Sequence, residues 1–477
     1  MTANFPPRGY GDERLRESPP RRVWKHPWEL DRDWQWQPGK IVLGRWEGRE
    51  FGDPDRPDAG PGSGDDRHIV TVAGSRAGKS STVLVPNLLR YPGSAIVLDP
   101  KGELARATAL HREIKLDQTV IVLDPFGTSG RKSAACNPLD DLDPGSDTYV
   151  DDVGLAADSI TIPGKTDPHW PDSAKNLIAG LLLYMTCAGG ERTLPRLRNI
   201  LLGKEGRLAN ADAGESPADN LFVRMAAMEG FDDLIAMTGR NFLDKQSKEL
   251  DSIISTAREQ TRFLDSKSLA KALAPSTLRL SDLKRKPTTV YLCLPATRLA
   301  THSRWLRMVL QLAFVQLEKD RTVPRHPVLF MLEEFNALGY LQSIENAAGF
   351  MAGFGVRLWS VLQDFTQLKT HYPNSWETFI GNAGVIQAFG NVDVTTTAHL
   401  SKMMGNTRVT ESSDVFVSGS AQGHGDSGRR DQNVTTPLLD PSEIAHHFAR
   451  ETRRQLLLVP GRSPVYMERL SRAETPR

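Results

Sequence analysis

The sequence is short of cysteine, of net charge and of long apolar runs, and each shortage excludes something. Only three cysteines occur in 477 residues: Cys136, Cys187 and Cys293. They lie far apart without metal-ligand spacing. That excludes a disulfide framework and predicts buried core thiols in a reducing, cytoplasmic compartment. The formal net charge is +1, so bulk charge does not announce a nucleic-acid binder, and any basic surface has to be local. The longest apolar stretch, 177–188, is broken by Gly180 and is far shorter than the roughly 20 residues that span a bilayer. The N-terminus (MTANFPPRGYGDERLRESPPRR) has no apolar core of a signal peptide. A soluble chain with no transmembrane segment is expected.

What is present is ordinary for a large globular protein: 39% hydrophobic and 25% charged residues, enough to build two or three domains. Residues 1–66 are rich in Pro, Gly, Arg, Asp and Trp. Residues 1–22 have the composition of a disordered segment. Trp24, Trp28, Trp34 and Trp36 follow closely and are expected to pin this arm to the main domain. A short strand is expected over 41–46. From His68 onward, short apolar strands alternate with helical segments. The strands are expected over 68–72, 94–98, 119–123, 288–294, 328–332, 356–362, 384–389 and 454–459. Continuous apolar runs of this kind are buried on both faces, which predicts an α/β fold with a largely parallel sheet. Between about 150 and 286 no strand pattern appears, whereas 172–185, 245–263 and 269–273 have helical spacing. Residues 405–435 are Gly/Ser-rich and polar, suited to a long loop or a hairpin.

The most specific signal is Ala73-Gly74-Ser75-Arg76-Ala77-Gly78-Lys79-Ser80-Ser81 after an apolar run. In the pattern G-x-x-x-x-G-K-[ST], backbone N–H groups from Gly74 to Ser81 wrap nucleotide phosphates. Lys79 reaches the β- and γ-phosphates, and Ser80 offers its hydroxyl to Mg²⁺. Ala73 stands where the first Gly is expected and is tolerable if its φ stays negative. The run Val328–Leu332 ends in Glu333-Glu334. Glu333 is the expected metal acid and Glu334 the general base that polarises the attacking water. A strand between the loop strand and the acid strand, with Glu on the latter, marks motors and helicases. Gln363 ends the run 356–362, a place from which a polar group senses the γ-phosphate.

These segments are ordered along the chain with others: Asp99-Pro100-Lys101-Gly102-Glu103, Asp124-Pro125-Phe126, Asn137-Pro138-Leu139, Asp167-Pro168-His169-Trp170, Leu338-Gly339, Gln363-Asp364-Phe365-Thr366-Gln367-Leu368 and Pro437-Leu438-Leu439. As a set, covering nearly everything from 68 to 477, they resemble the TraG-type coupling ATPases of type IV secretion and conjugation. The resemblance implies an α/β, RecA-like P-loop nucleotide-binding domain (67–149 and 287–477) with an inserted all-helical domain (150–286), behind an N-terminal arm (1–66). It implies ATP and Mg²⁺ as cofactors and a homohexamer with DNA in its central pore. The partners implied are a relaxase or effector substrate protein and either secretion-channel components or a separate membrane anchor. The location implied is cytoplasmic, peripheral to the inner membrane at most. An arginine from a neighbouring subunit is also implied. Arg357 and Arg298 are candidates for it, with Arg408 serving there or in the pore. Arg429 and Arg430 are read as a solvated loop first and as pore residues second. The competing reading is a nucleotide-gated adaptor with slow or vestigial hydrolysis, suggested by Ala73 and Glu333. A small-molecule kinase is disfavoured by the length of the chain and the inserted strand.

Overall fold

The structure is a computed structural model. It describes Trp24 and residues 34–45, 61–162, 168–210, 219–276, 278–416 and 427–470, with the backbone alone over 411–416 and 427–431. The expectations for residues 1–22, Trp28 and Asp167 lie outside the described residues. The strands are β1 (Ile41–Val42), β2 (Gly62–Ser63), β3 (His68–Ala73), β4 (Ala95–Leu98), β5 (Thr119–Leu123), β6 (Thr288–Leu292), β7 (Val328–Leu332), β8 (Val356–Leu362), β9 (Ala383–Phe389), β10 (Asn406–Phe416), β11 (Ser427–Pro437), β12 (Arg454–Leu458) and β13 (Val465–Glu468). The chain forms two compact units, Met1–Tyr91 with Ser360–Arg477, and Pro92–Trp359.

In the first unit β9 pairs parallel with β3 and antiparallel with β12, and β12 pairs antiparallel with β13. Every residue of β3 and β9 is buried, as continuous apolar runs demand. Two of the polar residues among them satisfy each other: the Thr71 hydroxyl donates to Gln387 Oε1 at 3.0 Å. The segment 34–45 lies over this layer as a strap. Leu43 offers its carbonyl to the Gln387 and Gln455 amides, and Val42 exchanges two hydrogen bonds with the Asn87 side chain. Two of the described tryptophans, Trp24 and Trp34, meet residues of the main domain. Trp24 meets Tyr466 edge-on at 5.7 Å, and Arg462 covers the ring of buried Trp34.

In the second unit the parallel order is β7, β4, β6, β5. The helix Ala296–Lys319 packs its apolar face on this layer, with Phe314 stacked on Phe330 at 4.4 Å. β5 and β6 are neighbours in space, yet residues 124–287 separate them in the chain. Among the described residues of that stretch every regular element is helical, the longest being His169–Cys187 and Ser247–Gln260. The fold is thus α/β with a helical insertion in a single crossover. No described helix is long and apolar enough to cross a membrane.

Several local expectations need correction. Tyr149–Ile160, Leu194–Leu201, Leu221–Ala226 and Leu234–Leu243 are helices that apolar spacing did not reveal. Two of them carried readable cap signals. Thr193 accepts the Arg196 N–H and precedes a Pro in the first turn, and Asn220 accepts the Phe222 and Val223 N–H groups. Of the two forms expected for the polar stretch after residue 405, the structure has the hairpin, as the antiparallel β10–β11 ribbon. Cys136 and Cys293 are buried as expected, but Cys187, the last residue of its helix, is exposed.

Candidate functional site

The phosphate-loop candidate begins where β3 ends. Ala73 is the last strand residue and is absent from the positive-φ residues, so its Cβ costs nothing there. The left-handed conformations fall later, at Arg76 (φ 56°) and Gly78 (φ 93°). Gly74 is required for a different reason. A Cβ on it would lie 2.0 Å from the Gly390 carbonyl oxygen, so only glycine lets the loop approach the turn after β9. The Lys79 ammonium donates to the Ala73 carbonyl at 2.9 Å and spans the loop. The Gly78 carbonyl accepts the Thr82 N–H and hydroxyl and the Ser81 hydroxyl. Ser80 opens a π-helical turn, Ser80–Leu84, that continues into Val85–Leu88. Ser75, Arg76 and Ser81 are exposed and Ala77 is buried. The Gly74 N–H donates to the Phe389 carbonyl and the Ala77 N–H to the Gly74 carbonyl, each at 3.2 Å, so an anion would meet the N–H groups of the other loop residues.

Gln363 belongs to the same unit as this loop. Its N–H donates to Gln367 Oε1 at 3.0 Å, and its carbonyl accepts the Asn391 side-chain amide at 3.1 Å. Asn391 is 4% exposed and directly follows Gly390, so the end of β8 is tied to the turn that packs on Gly74. Asp364 caps the next helix, Phe365–His371, by accepting the Gln367 N–H. Sequence reading missed Asn391, whose only signal was its position after an apolar run. It also missed Arg469, which carried none.

The second unit holds the acids. Glu333 and Asp99 each follow strands paired in register through Leu98 and Leu332. Glu333 is buried. Glu334 is half-buried and adopts φ 58°, ψ 48°, a left-handed conformation that costs a non-glycine residue about 1–2 kcal/mol and clusters at functional sites. Asp99 is fully buried and accepts the Ala105 N–H at 2.8 Å. Its other oxygen has no hydrogen-bond partner among the described residues. Burial outweighs that hydrogen bond and pushes its carboxyl up to about 6. Burial also drives the nearby Cys293 thiol far up, which makes it inert. Asp124 ends β5 in the same manner, accepting the Thr128 and Ser129 N–H groups and the Ser129 hydroxyl. The repeated Leu-Asp-Pro strand ends are therefore one device used twice.

The arginines separate clearly. Arg357 is 3% exposed at the amino end of β8, the end opposite to the one Gln363 follows. Its side chain is buried within this chain, unlike that of Arg298. Arg298 is exposed in the first turn of Ala296–Lys319, 5.7 Å from the Phe126 ring centroid. Arg408 is exposed on the ribbon, while the side chains of Arg429 and Arg430 lie outside those described. No group of three or more His, Cys, Asp or Glu side chains suited to a metal occurs among the described residues.

Known proteins share this architecture. TrwB, described as a plasmid coupling protein in complex with the ATP analogue ADPNP, superposes with a TM-score of 0.64 at 15% identity, over 95% of each chain. Its complex with ADP and Mg²⁺ gives 0.63 at 16% identity, again over 95% of each chain. The conjugal transfer protein TraG of Escherichia coli is 30% identical over 401 residues, 79% of this chain and 61% of TraG. VirD4 of Agrobacterium fabrum is 29% identical over 446 residues, 91% of this chain and 61% of VirD4. The chain thus spans about three-fifths of the length of these relatives. The family model for type IV secretory system conjugative DNA transfer matches residues 39–471, and the chain belongs to that family.

Proposed function

We propose that this protein is an ATPase that moves DNA, or DNA with attached protein, in conjugative transfer. The observation that carries the reading is the loop at the end of β3, whose glycine at 74 is forced by contact and whose Lys79 side chain spans it to the Ala73 carbonyl. ATP binds in the loop of residues 74–81 through its backbone N–H groups outside Gly74 and Ala77, with Lys79 on the β- and γ-phosphates. The Ser80 hydroxyl and Glu333 carboxylate are oxygen donors and so suit Mg²⁺, which would neutralise phosphate charge. Glu334 orients and deprotonates the attacking water, and Gln363 reports the γ-phosphate to the turn at Gly390 through Asn391. Arg298, the exposed candidate, serves a neighbouring subunit in a hexameric ring around DNA. Residues 67–149 and 287–477 form the RecA-like domain, 150–286 the inserted helical domain and 1–66 the arm. A relaxase or effector protein is the delivered cargo, and channel components or a separate anchor hold the ring at the inner membrane. The TrwB complexes with ADPNP and with ADP and Mg²⁺, and the family membership, support this reading.

The test is ATP hydrolysis with and without DNA. DNA is expected to raise the rate, and added salt to abolish that rise. Lys79→Ala and Glu334→Gln are each expected to lower the rate about a hundredfold or more, while Glu334→Gln retains ATP binding. A Glu334→Gln enzyme turning over normally would refute the role given to Glu334. A basal rate indifferent to DNA would favour a nucleotide-gated adaptor instead.

A further inference from the structure

Arg469 follows β13, and its backbone N–H donates to the Arg453 carbonyl at 2.8 Å. Its side chain is 3% exposed and ends against the phosphate loop. Nη1 donates to the Ala77 carbonyl. Nη2 donates to the Arg450 carbonyl at 2.8 Å. The guanidinium carbon lies 4.6 Å from the centroid of the Phe389 ring at the end of β9. Nη1 is also 3.5 Å from where a Cβ on Gly78 would stand. Two carbonyls and an aromatic face hold this cation, and among the described residues none of its hydrogen bonds goes to a carboxylate. Nε has no hydrogen-bond partner among the described residues. Burial lowers its pKa to about 10, which leaves it charged at neutral pH.

We propose that Arg469 is a positioning residue of the nucleotide loop, and that the phosphates of the nucleotide supply its buried guanidinium with a counter-charge beyond the more distant Glu451 carboxylate. The proposal rests on reading residues 73–81 as a nucleotide site. The peptide between Ala77 and Gly78 is planar and trans, so its C=O and N–H point in opposite directions. Holding the Ala77 carbonyl from one side therefore aims the Gly78 N–H to the other. Gly78 at φ 93° has no Cβ to limit its own rotation, so an external brace is needed at this peptide. A buried charge without a close opposite partner is costly, and a bound polyanion beside the loop relieves that cost. Arginine suits the task because its fork reaches two carbonyls at once, while lysine keeps the charge but loses the fork.

The experiment compares ATP affinity and melting temperature in Arg469→Gln, Arg469→Lys, Glu468→Gln and Lys79→Ala. Arg469→Gln is expected to raise the ATP Kd about tenfold or more, as loss of a charged hydrogen bond does. Arg469→Lys should fall between that variant and the wild type. The rise in melting temperature on adding ATP should shrink in the same order, whatever the nucleotide-free values do. Glu468→Gln breaks the neighbouring pair with Arg45 and should leave the ATP Kd unchanged. Wild-type ATP affinity in both Arg469 variants overturns the inference. Wild-type affinity in Lys79→Ala overturns the nucleotide-site reading instead. Should both Arg469 variants fail to fold, amide exchange on the unmodified protein decides. A non-hydrolysable ATP analogue should slow exchange at 465–469 together with 74–79, and unchanged exchange at 465–469 overturns the inference.

Discussion

Asp99 holds a carboxyl that burial raises to about 6 from the ordinary value of 3.8. The folded state therefore binds its proton more tightly than the unfolded chain does. Stability from this group is fully present below about pH 4 and is lost as pH rises through about 6. At pH 7 the ionised, buried carboxylate costs on the order of 3 kcal/mol. Asp99→Asn keeps an oxygen for the Ala105 N–H and removes the charge. Its melting temperature relative to wild type is expected to climb between pH 4 and pH 7. A difference that stays flat over this range would place the ionised group in a solvated setting. Residue chemistry was partly legible in the sequence. Gly74 to Ser81 and the Glu333-Glu334 pair were readable because local spacing encodes them. The left-handed backbone at Glu334 and the burial of Arg357 were not, because both are set by packing from distant segments. Ala73 looked like a departure only because the consensus glycine was assumed to serve the turn. Here β3 runs through residue 73, and the turn starts one residue later.

At the scale of elements, apolar strands gave themselves away, and polar or amphipathic pieces did not. β3 to β9 all begin and end within two residues of expectation, since runs such as Val328–Leu332 are buried throughout. β13, with its alternating burial, escaped notice. So did the β10–β11 ribbon as a definite hairpin, because its Thr, Ser and Asn side chains carry no apolar period. The ribbon pairs from Asn406 with Pro437 to Phe416 with Ser427 and reaches about 35 Å at 3.4 Å per residue. Its base is closed by the Leu438 N–H on the Gly405 carbonyl at 2.9 Å. Replacing 407–436 with a two-residue turn should therefore lower the melting temperature by less than about 2 °C and leave ATP binding intact, since paired strand ends suit such a turn. A fall of more than about 5 °C would show that the ribbon supports the unit beneath it.

At the scale of the whole chain, the first unit is assembled from both of its ends, and periodicity within a window does not reveal such a join. β3 and β9 pair directly although residues 74–382 lie between them. The strap 34–45 closes the unit. Arg45 pairs with Glu468 beside β13, while Asn87 holds Val42 by accepting its N–H at 2.8 Å and donating to its carbonyl at 2.9 Å. Asn87 is 1% exposed and lies on the helical segment that follows the phosphate loop, so strap and loop share one anchor. Asn87→Ala leaves the buried Val42 N–H and carbonyl without that partner, a loss of about 2–4 kcal/mol. The variant is expected to melt several degrees lower and to be cut within 34–45 by a protease that spares the wild type. Saturating ATP should slow that cutting in both proteins, because a ligand that binds only the folded state opposes opening. Cutting at the wild-type rate, with an unchanged melting temperature, would mean that Gln387, Gln455 and Glu468 hold the strap without Asn87.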